Sequence, residues 1–383
     1  MYLQFNGKKT EKEILKLSSK YNPFYIEENT SYLFKGENFN ILSRLLNGNP
    51  KKIDLIYIDP PFNTKQKFIA TDDRISTISR TKEGKVIYSD FMKEDAYLEF
   101  IRERLVLLRE LLSEEGSIYV HIDCKIGHYI KIIMDEVFGK DNFRNDISRI
   151  KSNPKNFNRR AYGNQKDMIL FYTKNYKKNI FNDVKIQLSE EEKIKMFKKV
   201  DSNGRRYNTV PLHAPGETVN GETGQKWRGM LPPKGRHWRV APEKLDALDK
   251  AGLIEWSKNG VPRLKKYADE HKGKKIQDIW EYKDPAYPIY PTEKNLDMLK
   301  LIISQSSNTD SIVLDCFAGG GTTLEAAEQL NRKWIGIDQS DIAIETIKLR
   351  MKNVNYLFIE TDKSGNNLYK SDEKAYGQLK IKI

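Results

Sequence analysis

Residues 58–64 read "IDPPFNT" and follow "KIDLIY", an apolar, β-branched run with the pattern of a buried parallel strand. The strand therefore ends on Asp59-Pro60-Pro61-Phe62. The two prolines fix φ and remove two amide donors. The turn then offers the Asp59 carboxylate and backbone carbonyls as acceptors, with no competing N–H. The exocyclic amine of a nucleobase has two N–H donors that suit such a pair. Accepting both hydrogens draws the nitrogen lone pair out of ring conjugation and leaves it nucleophilic. Phe62 supplies a face on which the base can stack. A base inside a duplex cannot reach such a pocket, so it must be flipped out.

A second stretch, "VLDCFAGGGTTLEAA", has a strand ending at Asp315, then Phe317, Ala318 and the glycines Gly319, Gly320 and Gly321. A helix is predicted to open at the threonines. Glycines let a ligand approach the backbone, and a helix N-terminus can bind a polar or anionic group. Further on, "WIGID" ends another strand at Asp338, where an acid commonly holds both hydroxyls of a ribose. The adenosine-bearing cofactor is not a dinucleotide of the usual kind, because Leu324 stands where the third glycine of that fingerprint belongs. Gly-Lys-Ser/Thr, needed by a phosphate-binding loop, is absent. S-adenosylmethionine remains.

These loops need a scaffold. Strands alternate with helices over 31–140 and again over 286–355, which predicts a doubly wound α/β sheet covered on both faces. Ligands bind such sheets beyond the carboxyl ends of the strands, at a switch point. If the strands ending at Asp59 and Asp315 are neighbours there, both loops face one crevice. Residues 1–30 read as an arm with a short helix. Residues 141–285 are rich in Gly, Pro, Asn, Lys and Arg and read as a separate inserted domain. Residues 356–383 read as a C-terminal extension.

The 383 residues, 38% hydrophobic and 31% charged, give room for a real core. No apolar run approaches a membrane span, and the N-terminus lacks a signal-peptide layout. Cys124 and Cys316 stand far apart in no metal-ligand spacing, which points to the reducing cytoplasm and predicts no disulfide framework or zinc site. A formal net charge of +13 attracts polyanions, nucleic acid first among them.

Asp-Pro-Pro-Phe together with Phe-Ala-Gly-Gly-Gly resembles the amino-methylating DNA methyltransferases. Catalytic motif first, variable middle, cofactor loop last: this order resembles their β class, with its cell-cycle-regulated adenine enzymes and type III modification subunits. The resemblance implies a Rossmann-like methyltransferase sheet with permuted motif order and an inserted target-recognition domain. It implies catalytic roles for Asp59, Pro60, Pro61 and Phe62, and cofactor contacts from Asp315, Phe317, Gly319, Gly321 and Asp338. "YPTEKN" is similar to the family's His-Pro-Thr-Gln-Lys-Pro element at the methionine end of the cofactor, which adds Thr292 and Lys294. "GENFNIL" resembles its Gly-Asp-Asn element and adds Asn38. Phe62 stands where the family more often has Tyr. Asp at position 59 resembles the adenine-N6 enzymes; the cytosine-N4 enzymes usually carry Ser there. The alternatives are a cytosine-N4 enzyme, a non-catalytic DNA-binding subunit with a vestigial pocket, and an RNA substrate. The expected partner is double-stranded DNA. A homodimer is expected by resemblance, a cognate restriction endonuclease is left open, and no membrane is involved.

By its place in that order, 141–285 is the target-recognition domain. Within "KWRGMLPPKGRHWRV", Arg228, Arg236, Trp238 and Arg239 are the candidate DNA contacts, arginine for phosphates and base edges. Both tryptophans of that stretch also suit the core of a small domain. His121 reads as a satisfied structural histidine near a strand end.

Overall fold

The structure is a computed structural model. It describes residues 2–61, 93–154 and 160–362, and the backbone of the strands Lys67–Thr71, Arg74–Ser76, Lys85–Ser89, Asn367–Glu373 and Lys380–Lys382. Phe62 lies outside the described residues. Two compact units are formed: residues 1–184 with 277–383, and residues 185–276.

The larger unit is built on one sheet. Its strands are β1 (Tyr32–Lys35), β2 (Ile53–Ile58), β3 (Leu112–Ile122), β4 (Phe143–Ile150), β5 (Lys166–Thr173), β6 (Ile279–Trp280), β7 (Ile312–Asp315), β8 (Lys333–Asp338) and β9 (Tyr356–Thr361). The order is β6-β4-β5-β3-β2-β7-β8-β1-β9, continued by Asn367–Glu373 and Lys380–Lys382. From β3 to β9 every neighbour is parallel. Helices α1 (Glu11–Ser18), α2 (Asn38–Gly48), α3 (Glu94–Leu111), α4 (Cys124–Phe138), α5 (Leu296–Ser306), α6 (Thr322–Gln329) and α7 (Asp341–Arg350) belong to this unit. β2 is buried at every residue but Asp54, as its continuous apolar run requires. Asp54 is the exception with a use. Its Oδ1 accepts the Ser113 hydroxyl and its Oδ2 the Ile312 N–H, each at 3.1 Å, so it pins β2 in register.

Three expected boundaries move. The inserted segment begins later than 141, because β4 and β5 pair antiparallel with each other and β5 with β3. "KDMILFYT" is buried along almost its whole length, which only the large sheet can provide. The insertion also ends earlier than 285, since β6 pairs with β4. The C-terminal extension starts as sheet: β9 lies against β1. The N-terminal arm is tied down, with Ile14 of α1 fully buried and Arg109 of α3 donating to Glu11 at 2.8 Å.

The smaller unit holds a four-stranded antiparallel sheet, Lys199–Val200, Arg206–Pro211, Pro262–Tyr267 and Ile254–Trp256 in that order, and the ribbon His213–Pro215 with Arg236–Trp238. Its core is Leu212, Trp227, Trp238, Leu245 and Ile254. The chain's entry and exit pair with each other, Ile186 with Lys274 and Lys185 with Lys275.

Candidate active site

β2 and β7 are neighbours, with Leu55 opposite Val313 and Ile56 opposite Leu314. From β2 the chain runs through α3 to β3 on one side. From β7 it runs through α6 to β8 on the other. Connections that diverge in this way leave a crevice at the carboxyl ends of the two strands. Asp59, Asp315 and Asp338 end or follow three adjacent strands there.

Asp315 is buried. It accepts the Phe317 N–H at 3.0 Å and the Thr323 hydroxyl at 2.6 Å. Desolvation pushes its carboxyl up to about 7; the two hydrogen bonds oppose the rise, and the charges of Asp59 and Asp338 add to it. Asp338 accepts the N–H groups of Gly319 and Ser340, each at 2.9 Å. Desolvation raises its carboxyl to about 6. Each carboxylate oxygen has lone-pair capacity beyond these bonds.

The glycine loop lies close to its surroundings. Gly319 and Gly321 have φ of +50° and +79°, in the left-handed region. A Cβ on Gly320 would stand 2.6 Å from the Cβ of Tyr290, and one on Gly321 2.8 Å from Ile347. Any side chain would thus shift the loop off the buried Tyr290 and α7. Phe317 meets Phe100 edge to face, with centroids 6.0 Å apart. Asn38 braces the loop, donating to the Cys316 carbonyl at 2.9 Å while its Oδ1 accepts from Arg104 at 2.8 Å. Cys316 is a buried packing residue, and burial pushes its thiol well up.

The segment before α5 closes the arrangement. Thr292 has φ +61° and gives its hydroxyl to the Pro291 carbonyl at 2.5 Å. Lys294 donates to the Thr292 carbonyl at 3.1 Å and forms an ion pair with Asp59 Oδ2. Asp59 Oδ1 is buried with no hydrogen-bond partner among the described residues. Pro60 is buried and Pro61 half-buried. The site therefore offers, among the described residues, one unpartnered carboxylate oxygen on a proline-fixed turn, beside a glycine loop packed against Tyr290 and Ile347.

Residues 53–349 match the DNA methylase family of N6 and N4 enzymes. The chain belongs to this family. Similar relatives are the type II methyltransferase M.EcaI of Enterobacter cloacae (44% identical over 306 residues, 78% of this chain and 65% of the relative) and M.KpnI of Klebsiella pneumoniae (29% over 338 residues, 80% and 78%). The Mod subunit of the type III restriction-modification enzyme EcoP15I of Escherichia coli is 27% identical over 373 residues, 79% of this chain and 56% of the relative. The chain thus spans about two thirds of the first relative and little more than half of the last.

For a DNA methylase, the smaller unit's arginines matter next. Trp238 is a core residue: it is buried against Trp227 with its Nε1 donating to the Gln225 carbonyl at 2.9 Å, so its ring is not displayed for DNA. Arg228 is exposed but engaged by Asp246 and Asp249. Arg236 and Arg239 are exposed and flank His213, whose imidazole is held below its usual range by burial and by the charges of Arg236, Arg239 and Arg263. Arg263 thus joins a basic cluster that sequence spacing does not reveal.

Several supports of this site were also hidden in the sequence. Arg104 is buried, lies 3.6 Å over Phe100 and holds Asn38 and Glu37; nothing distinguishes it from its surface neighbours on α3. Thr323 was readable, since "GGGTT" starts the helix. His121 is fully buried and satisfied by Tyr57 at 2.8 Å and Asp167 at 3.2 Å.

Proposed function

We propose that this chain transfers a methyl group from S-adenosylmethionine to the N6 amine of an adenine flipped out of duplex DNA. The observation that carries the reading is the Asp59 carboxylate, ionically held through Oδ2 and unpartnered at Oδ1 among the described residues, on the turn neighbouring the glycine loop. The residues fit that cofactor: Asp338 suits the ribose hydroxyls, the Gly319–Gly321 backbone suits close approach, and Thr292 suits the methionine end. The cofactor supplies an electrophilic methyl on a sulfonium, with a neutral thioether as leaving group.

The chain's residues do the rest by orientation. Asp59 Oδ1 and the Pro60 carbonyl accept the two amine hydrogens and turn the lone pair toward the sulfonium side of the crevice. Fixing that approach lowers the barrier without a change of protonation in the ground state. Asp rather than Ser at 59 supports adenine over cytosine. The test is nucleoside mass spectrometry of unmethylated, amplified bacterial DNA incubated with the purified chain and labelled S-adenosylmethionine. N6-methyladenine is expected. N4-methylcytosine as sole product overturns the choice of base, and no methylated DNA overturns the reaction.

The basic cluster supports a DNA-facing role for the smaller unit. Arg236→Ala with Arg239→Ala is expected to weaken duplex binding and to flatten its dependence on log salt by up to about one unit per lost phosphate contact. Cofactor affinity stays unchanged. Filter binding across a salt series reads the slope; an unaltered slope removes both arginines from the phosphate contacts.

A further inference from the structure

Lys294 stands, by resemblance, for a contact to the methionine end of the cofactor. The structure gives its ammonium another partner, Asp59 Oδ2, and the two side chains are only 10% and 16% exposed. We propose that Lys294 is the positioning residue of the catalytic turn: it fixes the Asp59 carboxylate through Oδ2 and so reserves Oδ1 for the target amine. This inference rests on the methyltransferase reading above.

Three observations support it. First, the division of labour within the carboxylate is complete. One oxygen is held by a cation, the other is buried and, among the described residues, unpartnered. A carboxylate free to rotate would present either oxygen in many directions, and an amine would have to order it at each turnover. Second, Lys294 is itself held. It donates to the Thr292 carbonyl at 3.1 Å, and Thr292 takes a left-handed φ of +61° that orients this carbonyl. Glu293 beside it is fixed by Arg350 at 2.6 Å and by the Ile289 N–H at 2.7 Å. The ammonium therefore sits on a braced segment rather than on a free tail.

Third, the electrostatic setting of Asp59 needs a cation. The groups that feel its charge are Asp315 of the neighbouring strand β7, Tyr57 of β2 and His121 of β3; Asp167 of β5 and Arg149 of β4 lie behind them, against His121 and Tyr57. Arg149 is taken up by Asp284 at 2.6 Å and lies 3.5 Å from Asp167. His121 is kept below its usual range by burial, so it stays neutral near pH 7. Among the described residues Lys294 alone forms an ion pair with Asp59. Without it, the Asp59 carboxylate would face the Asp315 carboxyl with nothing to hold its orientation.

The experiment compares Lys294→Met and Lys294→Arg with the parent protein in two independent readouts. In single-turnover methylation of unmethylated amplified bacterial DNA, Lys294→Met is expected to lower the rate at pH 7 tenfold or more. Kd for S-adenosylmethionine should change less than threefold. Lys294→Arg should restore most of the rate. In carboxyl 13C NMR of aspartate-labelled protein at fixed pH, with Asp59→Asn assigning the signal, the Asp59 carboxyl resonance should move in Lys294→Met and return toward the parent position in Lys294→Arg. The NMR arm needs no activity, so it separates this claim from the methyltransferase reading. An Asp59 resonance unmoved by Lys294→Met overturns the proposal, whatever the activity. So does a loss that appears wholly as weaker cofactor binding, which would return Lys294 to the methionine end.

Discussion

Asp59→Ala lowers the methyl-transfer rate about a hundredfold or more, equivalent to roughly 2.7 kcal/mol, while duplex and cofactor affinities stay near the parent values. On the proposed mechanism, the change removes the acceptor for the amine at Oδ1 and leaves the Pro60 carbonyl to act alone. The lone pair then remains conjugated with the ring and approaches the methyl poorly. An interaction that strengthens as the nitrogen becomes tetrahedral is lost from the transition state far more than from the bound ground state. Asp59→Asn, which keeps the shape but loses the charge and the ion pair with Lys294, should fall nearly as far. Quenched-flow single-turnover kinetics with separately measured Kd values makes the distinction. A near-normal rate in a correctly folded Asp59→Ala protein sinks the mechanism.

Asp338→Ala should weaken S-adenosylmethionine binding by about 1.5–3 kcal/mol, the range for hydrogen bonds to a charged acceptor, or roughly tenfold to a hundredfold and more in Kd. The carboxylate already holds the Gly319 and Ser340 N–H groups, so part of the loss is loop order. Asp338→Asn, which retains an acceptor, should lose less. There is also a pH signature. Both Asp315 and Asp338 are raised above the ordinary value of 3.8, to about 7 and about 6. Their contribution to folding is therefore fully present below the unfolded value and is lost as pH rises through the folded values. A cationic ligand favours their ionised forms, so its affinity should grow between pH 5.5 and 7.5 with release of protons. Calorimetry in buffers of different ionisation enthalpy measures that release. An unchanged Kd in Asp338→Ala removes the ribose assignment.

What the sequence made legible was whatever depends on one strand and the turn after it. The buried runs before Asp59, Asp315 and Asp338 are apolar because both sheet faces are covered, and the glycines stand where φ or a close neighbour demands them. The pairing of β2 with β7 followed from the switch-point rule rather than from either strand alone. Antiparallel β4 and β5 were hidden because they follow one another with no helix among the described residues between them, and so they read as part of the insertion. The Lys294–Asp59 pair joins segments far apart in the chain, which no local pattern encodes. Trp238 shows the opposite limit: "RHWRV" mixes charge and aromatic in a way that suits DNA, yet a small domain spends its few large rings on its own core.

The short pairing of residues 185–186 with 274–275 has a consequence for how this lineage can change. A segment whose entrance and exit are stitched together is a cassette. It can be cut out at its neck and replaced by an unrelated block, and the sheet keeps its threading, its three acids and its lysine. If the smaller unit reads the DNA target as proposed, exchange at that neck would give an old chemistry a new address in a single recombination event.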